Sequence, residues 1–145
     1  MIKKKLSSIL KVFCVILTIV ATVNAVEIRA SDYLNAYSAT VYADGNSNMS
    51  VDVAIYSAGK MTKIGVENIR IEEKYTESGS WHYYDTLRDS DDPDEFYDYN
   101  QYNYLNTFYF NGTPGYYYRV IATVYAGNSN GSDTGRAPSL AVRCK

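Results

Sequence analysis

The chain has 145 residues, of which 46% are hydrophobic, 21% charged and 14% aromatic. This apolar content excludes a disordered chain, and the length leaves room for one domain of ordinary size. With 9 glycines, 3 prolines and no repeating period, the sequence also excludes collagen-like and linker-like chains.

The first 25 residues have the pattern of a secretory signal peptide. Three lysines over 3–5 precede a mostly apolar run, and Val23-Asn24-Ala25 places small residues at the −3 and −1 positions. The uncharged stretch over 12–23 is shorter than the roughly 20 residues that a membrane-spanning helix needs, which argues against an uncleaved anchor. We therefore predict cleavage after Ala25 and a secreted, extracellular protein.

The predicted mature chain is divided into an N-terminal lead over 26–36 and one domain over 37–145. Cleavage removes four lysines and no acid, so the mature net charge falls from −2 to about −6. This charge argues against nucleic acid and membrane surfaces as partners. The one cysteine left, Cys144, has no partner for a disulfide, and we expect it to be a loosely held tail residue.

The first part of the domain alternates apolar and polar residues with the period of a strand. One strand is predicted over 37–43, a turn over 44–48, and a second strand from Met49 to Tyr56. A turn is predicted over 57–61. The alternation of apolar and polar residues then shifts by one residue near Glu67-Asn68, where a bulge would restore it.

The second part continues with hairpins. Residues 69–88 predict two strands joined by a turn over 77–80, and residues 96–104 a long tyrosine-rich connection. A further strand is predicted to begin at Phe108 and to end at a turn over 111–115. The longest strand is predicted over 116–126, followed by a loop over 127–135 and a final strand around Leu140 and Val142. The 116–126 strand would bury Tyr118, Val120, Ala122 and Val124 on one face.

No segment of the mature chain shows sustained helical periodicity. Six to eight short strands separated by turn residues predict an all-β fold, an antiparallel two-sheet sandwich of about seven strands.

The end of the chain resembles a fibronectin type III or immunoglobulin-like domain. The similar residues are PGYYYRVIATVYAGNSNGSD (114–133) and SLAV (139–142), about the last third of the chain. The resemblance implies that Tyr118 closes a corner through its hydroxyl group, with Tyr116 as a neighbour that could replace it. Trp81 departs from the family pattern, which places a tryptophan on an earlier core strand. A signal peptide before one tyrosine-rich sandwich is also similar to small secreted bacterial proteins.

The sequence offers few residues for catalysis. Ser–His and Cys–His arrangements would depend on His82 alone, which lies in a predicted exposed strand. The acids are grouped on one loop over 89–95, whereas two catalytic carboxyls need separate rigid environments. We therefore predict that the protein is not an enzyme and needs no cofactor, with a carboxylate-dependent hydrolase of an extracellular polymer as the alternative.

The acidic loop has oxygen ligands of the type that calcium takes. A calcium site would use Asp89, Asp91, Asp92, Asp94 and Asp98. The loop lacks the glycine and distal glutamate of the twelve-residue calcium motif, so a solvated loop that aids solubility is the alternative.

Tyrosine is unusually frequent, with 16 residues against 4 phenylalanines. Its flat apolar ring and polar tip suit stacking on sugars or contacts with proteins, although tyrosine also covers sheet faces in cross-strand pairs. The aromatic residues that we predict to bind a ligand are Trp81, Tyr83, Tyr84, Tyr97, Tyr99 and Tyr102.

The sequence therefore predicts a secreted, monomeric binding or interaction module for an extracellular carbohydrate or protein. A structural subunit of a surface assembly, which would pair its edge strands with a neighbour, is a further alternative.

Overall fold

The computed structural model describes residues 31–145. The predicted signal peptide lies outside this range. The described chain confirms an all-β fold: seven antiparallel strands form one curled sheet, with a single helical turn. The elements are, in chain order, β1 (Leu34–Gly45), β2 (Asn48–Lys74), β3 (His82–Arg88), α1 (Pro93–Phe96), β4 (Tyr97–Asn111), β5 (Tyr117–Asn128), β6 (Gly131–Pro138) and β7 (Val142–Arg143).

Strand β2 organises the sheet because its 27 residues pair with four other strands. Its first half lies between β1 and β4, so that Val53 is opposite both Ala39 and Asn106. Its second half lies between β3 and β5, so that Ile71 is opposite both Asp85 and Val120. β6 and β7 pair with β5. One continuous strand thus holds both halves of the sheet in register.

The buried face of β2 follows the period of two that the sequence shows. A register shift against β5 between Val66 and Asn68 confirms the bulge predicted there. This bulge returns the apolar side chains to the inner face. The inward residues of both halves belong to one hydrophobic cluster and are Met49, Val51, Val53, Ile55, Ile64, Val66, Ile69 and Ile71.

Strand β5 and the corner before it match the sequence prediction. Its four predicted core residues are all buried. The Tyr118 hydroxyl group accepts a hydrogen bond from the Thr113 backbone N–H at 2.8 Å and donates one to Glu73 Oε2 at 3.0 Å. Burial of the ring raises the pKa of Tyr118, so the hydroxyl group keeps its proton. The predicted tyrosine-closed corner is therefore confirmed.

Three of the predicted connections are wrong. Residues 57–61 do not turn the chain: they stay in β2, and the register against β4 shifts there because β2 carries more residues than its partner. The 96–104 connection belongs to β4 from Tyr97 onward, since it pairs with β2 as far as Gly65. The 127–135 loop is mostly strand, because β5 and β6 join at a tight turn over 129–130.

The expectation of a loose tail at Cys144 is also wrong. Cys144 is 2% exposed, and its backbone N–H donates a hydrogen bond to the Tyr116 carbonyl oxygen at 2.8 Å. Burial raises the pKa of its thiol group. The residue is fixed because the adjacent β7, which includes Val142 of the predicted final strand, pairs with β5.

The backbone at the start of β4 approaches β2 very closely at Gly65. A Cβ atom added to Gly65 would lie 2.0 Å from the Phe96 carbonyl oxygen and 2.9 Å from Tyr97 Cα. Both neighbours are backbone atoms, which cannot move without disturbing the strand pairing.

We expect Gly65→Ala to lower the free energy of unfolding by about 1–3 kcal/mol because of this overpacking. Gly59→Ala is the matched control, since Gly59 also lies in β2 and a Cβ there meets nothing within 4 Å. Urea unfolding of the two variants measures the difference. Equal transition midpoints would contradict the close approach at Gly65.

Candidate functional site

The predicted aromatic residues are spread along the sheet. Tyr83 is opposite Glu72 of β2, whereas Tyr99 is opposite Lys63. Nine positions of β2 separate these partners, about 30 Å at the usual rise of a strand. Trp81 immediately precedes β3, near Tyr83. The candidate residues on β3 and those on β4 therefore lie toward opposite ends of the second half of β2.

Two of the predicted aromatic residues contribute to structure through their hydroxyl groups. Tyr97 is buried and donates a hydrogen bond to Asp89 Oδ2 at 2.9 Å, and Lys63 Nζ lies 3.6 Å from its ring centroid. Burial and the bond to Asp89 raise the pKa of Tyr97 far above its usual range. Tyr84 donates to the Asn111 carbonyl oxygen at 2.6 Å and packs edge-on against Tyr118.

The remaining predicted residues are accessible. Tyr83, Tyr99 and Tyr102 are more than half exposed, while Trp81 is half-buried. Their role in binding stays a prediction.

The outer surface of the first half of the sheet forms a second aromatic surface, which we call the tyrosine face. Cross-strand partners in an antiparallel sheet point to the same side, so the register identifies its members. Tyrosines stand at both ends, and small side chains lie between them. The tyrosine face consists of Ala36, Ser38, Thr40 and Tyr42 of β1, Ser50, Asp52, Ala54 and Tyr56 of β2, and Asn103, Leu105, Thr107 and Tyr109 of β4.

A shallow hollow of about 400 Å³ lies in the middle of the tyrosine face. Its floor includes Ser38, Thr40 and Ala54, and the Thr107 hydroxyl group donates a hydrogen bond to Asp52 Oδ1 at 2.7 Å. Leu105 at its margin is 60% exposed. The hollow thus combines hydroxyl groups, one carboxylate and an accessible apolar side chain.

The two ends of the tyrosine face differ. At one end Tyr42 and Tyr109 are both opposite Ser50, which is only 6% exposed. Tyr109 is 70% exposed, the highest value among the exposed tyrosines of the described chain. Tyr56 stands at the other end and is about half exposed.

The tyrosine face does not correspond to any local cluster of aromatic residues in the sequence. Tyr42, Tyr56 and Tyr109 are far apart in the sequence and meet only through strand pairing. The available signal was the strand alternation itself, which places Tyr42 on the same side as Ser38 and Thr40.

The outer surface of the second half of the sheet is rich in cations, and we call it the basic face. Residues 31–145 contain nine lysines and arginines, and seven of them lie on this face. Three are outward residues of β2, and the other four are cross-strand partners of outward residues of β2 or β5. The seven are Lys63, Arg70, Lys74, Arg88, Arg119, Arg136 and Arg143.

Aromatic rings and one carboxylate hold several of these cations. The Arg119 guanidinium group lies 4.3 Å from the Trp81 ring centroid, and Lys74 Nζ lies 5.0 Å from the same ring. Glu72 pairs with Arg119 at 2.8 Å and with Arg70 at 3.1 Å. Both distances to Trp81 are within the range of cation–π attraction. Trp81 therefore contacts cations of its own chain.

Three of the five predicted calcium ligands, Asp89, Asp91 and Asp92, accept local hydrogen bonds. Asp92 Oδ1 accepts from the Glu95 backbone N–H at the start of α1, and Asp91 Oδ2 accepts from the Arg88 backbone N–H at 3.3 Å. Within the described chain, no three side chains of His, Cys, Asp or Glu converge to hold a metal ion. The geometry therefore gives no support to the calcium hypothesis for Asp89, Asp91, Asp92, Asp94 and Asp98.

His82 is exposed, as predicted, and stacks on Tyr75 with 5.2 Å between ring centroids. Over residues 31–145, the structure contains no helix long and apolar enough to cross a membrane.

No protein-family model matches the chain, and no match is found among curated proteins.

Glu72 provides a pH-dependent test of the basic face. Burial raises the pKa of its carboxyl group, but the hydrogen bonds and charges of Arg119 and Arg70 outweigh this effect and lower it overall. Because the folded-state pKa is below the unfolded value of about 4.3, the pairing stabilises the protein above that pH and is lost as the pH falls through the folded-state pKa.

We expect Glu72→Gln to cost about 0.5–1.5 kcal/mol at pH 7 and progressively less below about pH 4. Urea unfolding between pH 7 and pH 3 measures this change. Glu77→Gln, in the β2–β3 turn, should stay close to the wild type at every pH. A cost for Glu72→Gln that does not depend on pH would contradict the pairing.

Proposed function

We propose that the protein is a secreted, non-enzymatic binding module that holds a neutral extracellular polysaccharide on its tyrosine face. The observation that carries the proposal is the placement of accessible tyrosine rings at both ends of a hollow lined with small hydroxyl side chains. Paired strands hold all of these residues, so the surface is formed before a ligand arrives. Such preorganisation reduces the entropy lost on binding.

The chemistry of the tyrosine face suits a sugar chain. A tyrosine ring offers an apolar surface for the carbon–hydrogen face of a sugar and a hydroxyl group for its polar edge. Ser38 and Thr40 add hydroxyl groups that can both donate and accept hydrogen bonds. None of the twelve residues of the face is a lysine or arginine, and Asp52 is its one acid. A neutral ligand fits this charge pattern better than an anionic one.

The length of the tyrosine face favours a chain of several sugars over a single one. Ser50 at one end and Tyr56 at the other are six positions apart in β2, which corresponds to about 20 Å along the strand. A ligand that contacted both ends would therefore extend across the whole hollow between them.

We further propose a fold family and an extracellular location for the module. The closed corner at Tyr118 and the curled antiparallel sheet support a two-sheet sandwich of the immunoglobulin-like or fibronectin type III-like kind. The pattern of residues 1–25 supports a cleaved signal peptide and secretion. We propose that the module acts as a monomer.

We expect Tyr109→Ala to weaken binding about tenfold, roughly 1.4 kcal/mol, because it removes the most exposed ring of the tyrosine face. The measurement is co-sedimentation of the purified protein with a panel of insoluble neutral polysaccharides. Leu105→Ala should also weaken binding.

Leu140→Ala is the matched control for Leu105→Ala, since Leu140 is 69% exposed and lies outside the face. Loss of binding in Trp81→Ala or Tyr83→Ala, with Tyr109→Ala unaffected, would move the binding site to β3. Absence of binding to every neutral polysaccharide would refute the proposed function.

A further inference from the structure

The basic face contrasts with the charge of the rest of the chain. Residues 31–145 contain fifteen acids and nine basic residues, and seven of the basic residues share this one face. Glu72 is the acid paired among them, and it contacts Arg70 and Arg119. Such segregation concentrates positive potential on a protein that is acidic overall.

The cations are arranged along and across the sheet. Lys63 and Lys74 mark the two ends of the face on β2, about 35 Å apart along the strand. In the middle of the face, one row of cross-strand partners runs across four strands. It consists of Arg88 of β3, Asn68 of β2, Thr123 of β5 and Arg136 of β6. The face therefore presents positive charge over several strands and over most of the second half of β2.

Several cations are held in fixed positions before any ligand binds. Glu72 and the Trp81 ring together position Arg119, and Arg70 lies 5.3 Å from the Tyr83 ring centroid as well as beside Glu72. A guanidinium group has five N–H donors, so donors remain for a ligand after these contacts are made. Five of the seven cations are arginines, which can bind carboxylate, sulfate or phosphate groups in a bidentate manner.

We propose that the basic face binds an anionic polysaccharide. Charge complementarity indicates an extended polyanion, because the positive charges are spread along about 35 Å of sheet. The acidic loop over 89–98 directly follows Arg88 at the edge of the face. Duplex DNA carries one charge per about 1.7 Å and would bring dense negative charge against that loop. A sugar polymer of lower charge density meets less repulsion there. This site is separate from the tyrosine face.

Trp81 is the only tryptophan in the sequence, and it contacts the cations of the basic face. Its fluorescence therefore reports directly on ligands that draw Arg119 or Lys74 away from the ring. The experiment is a fluorescence titration of the full protein with polygalacturonate, heparin, neutral dextran, and single- and double-stranded DNA oligonucleotides at several salt concentrations.

We expect polygalacturonate or heparin to change the emission, and dextran to leave it unchanged. The two anionic polysaccharides distinguish carboxylate from sulfate groups as the preferred anion. The double variant Arg88→Gln/Arg136→Gln should weaken this binding about tenfold and reduce its salt dependence, since two ionic contacts are lost. Both side chains are exposed, and within residues 31–145 neither side chain makes a hydrogen bond that supports the fold. The variant therefore keeps Glu72, Arg119 and Trp81 in place.

Lys60→Gln/Lys145→Gln is the matched control, because it removes the same charge from outside the basic face. Equal loss of affinity in the two double variants would overturn the proposal, since only net charge would then matter. Tighter binding of either DNA than of both polysaccharides would identify a nucleic acid as the occupant and also overturn it. An unchanged Trp81 emission with every polyanion would also overturn the proposal. Tyr109→Ala should leave the titration unchanged, so failure here is distinguishable from failure of the tyrosine face.

Discussion

The structure depends on strand β2 staying in register over 27 residues. Its inward side chains supply the centre of the core in both halves of the sheet, and its two edges pair with β1, β3, β4 and β5. The bulge beside Val66 is essential to this arrangement, because a slip of one residue would turn every following side chain to the other face. The tyrosine face and the basic face are therefore both set by the same strand.

Tyrosine has three different environments in this protein. Tyr118 and Tyr104 are buried, and their hydroxyl groups are satisfied by Glu73 and by the Glu95 carbonyl oxygen. Burial is the main cause that raises the pKa of both. Other rings lie beside cations, and a third group is exposed at the ends of the tyrosine face. Tyrosine can therefore occupy both the core and the surface, because its hydroxyl group forms a hydrogen bond with a protein group in the core and with water at the surface.

The sequence predicts the parts of the fold that local patterning controls. The alternation in β2, the bulge near Glu67 and the corner at Tyr118 follow from residues close together in the chain. The local pattern predicts a connection over 96–104, because its polar residues form a strand only by pairing with β2. For the same reason the local pattern predicts one aromatic cluster, whereas strand pairing spreads its members along β2. The same pairing brings the distant Tyr42 and Tyr109 to either side of Ser50. Pairing over long sequence distances is what the local pattern does not contain.

The burial of Cys144 affects how copies of the protein can become linked. Its thiol group lies near Gly112 and Met49, where an added Cβ at Gly112 would be 3.1 Å from the sulfur atom and 3.2 Å from Met49 Cγ. A disulfide between two copies requires the thiolate to reach solvent, so β7 must first separate from β5. The amount of disulfide-linked dimer that accumulates in an oxidising solution would therefore record how often β7 separates from β5.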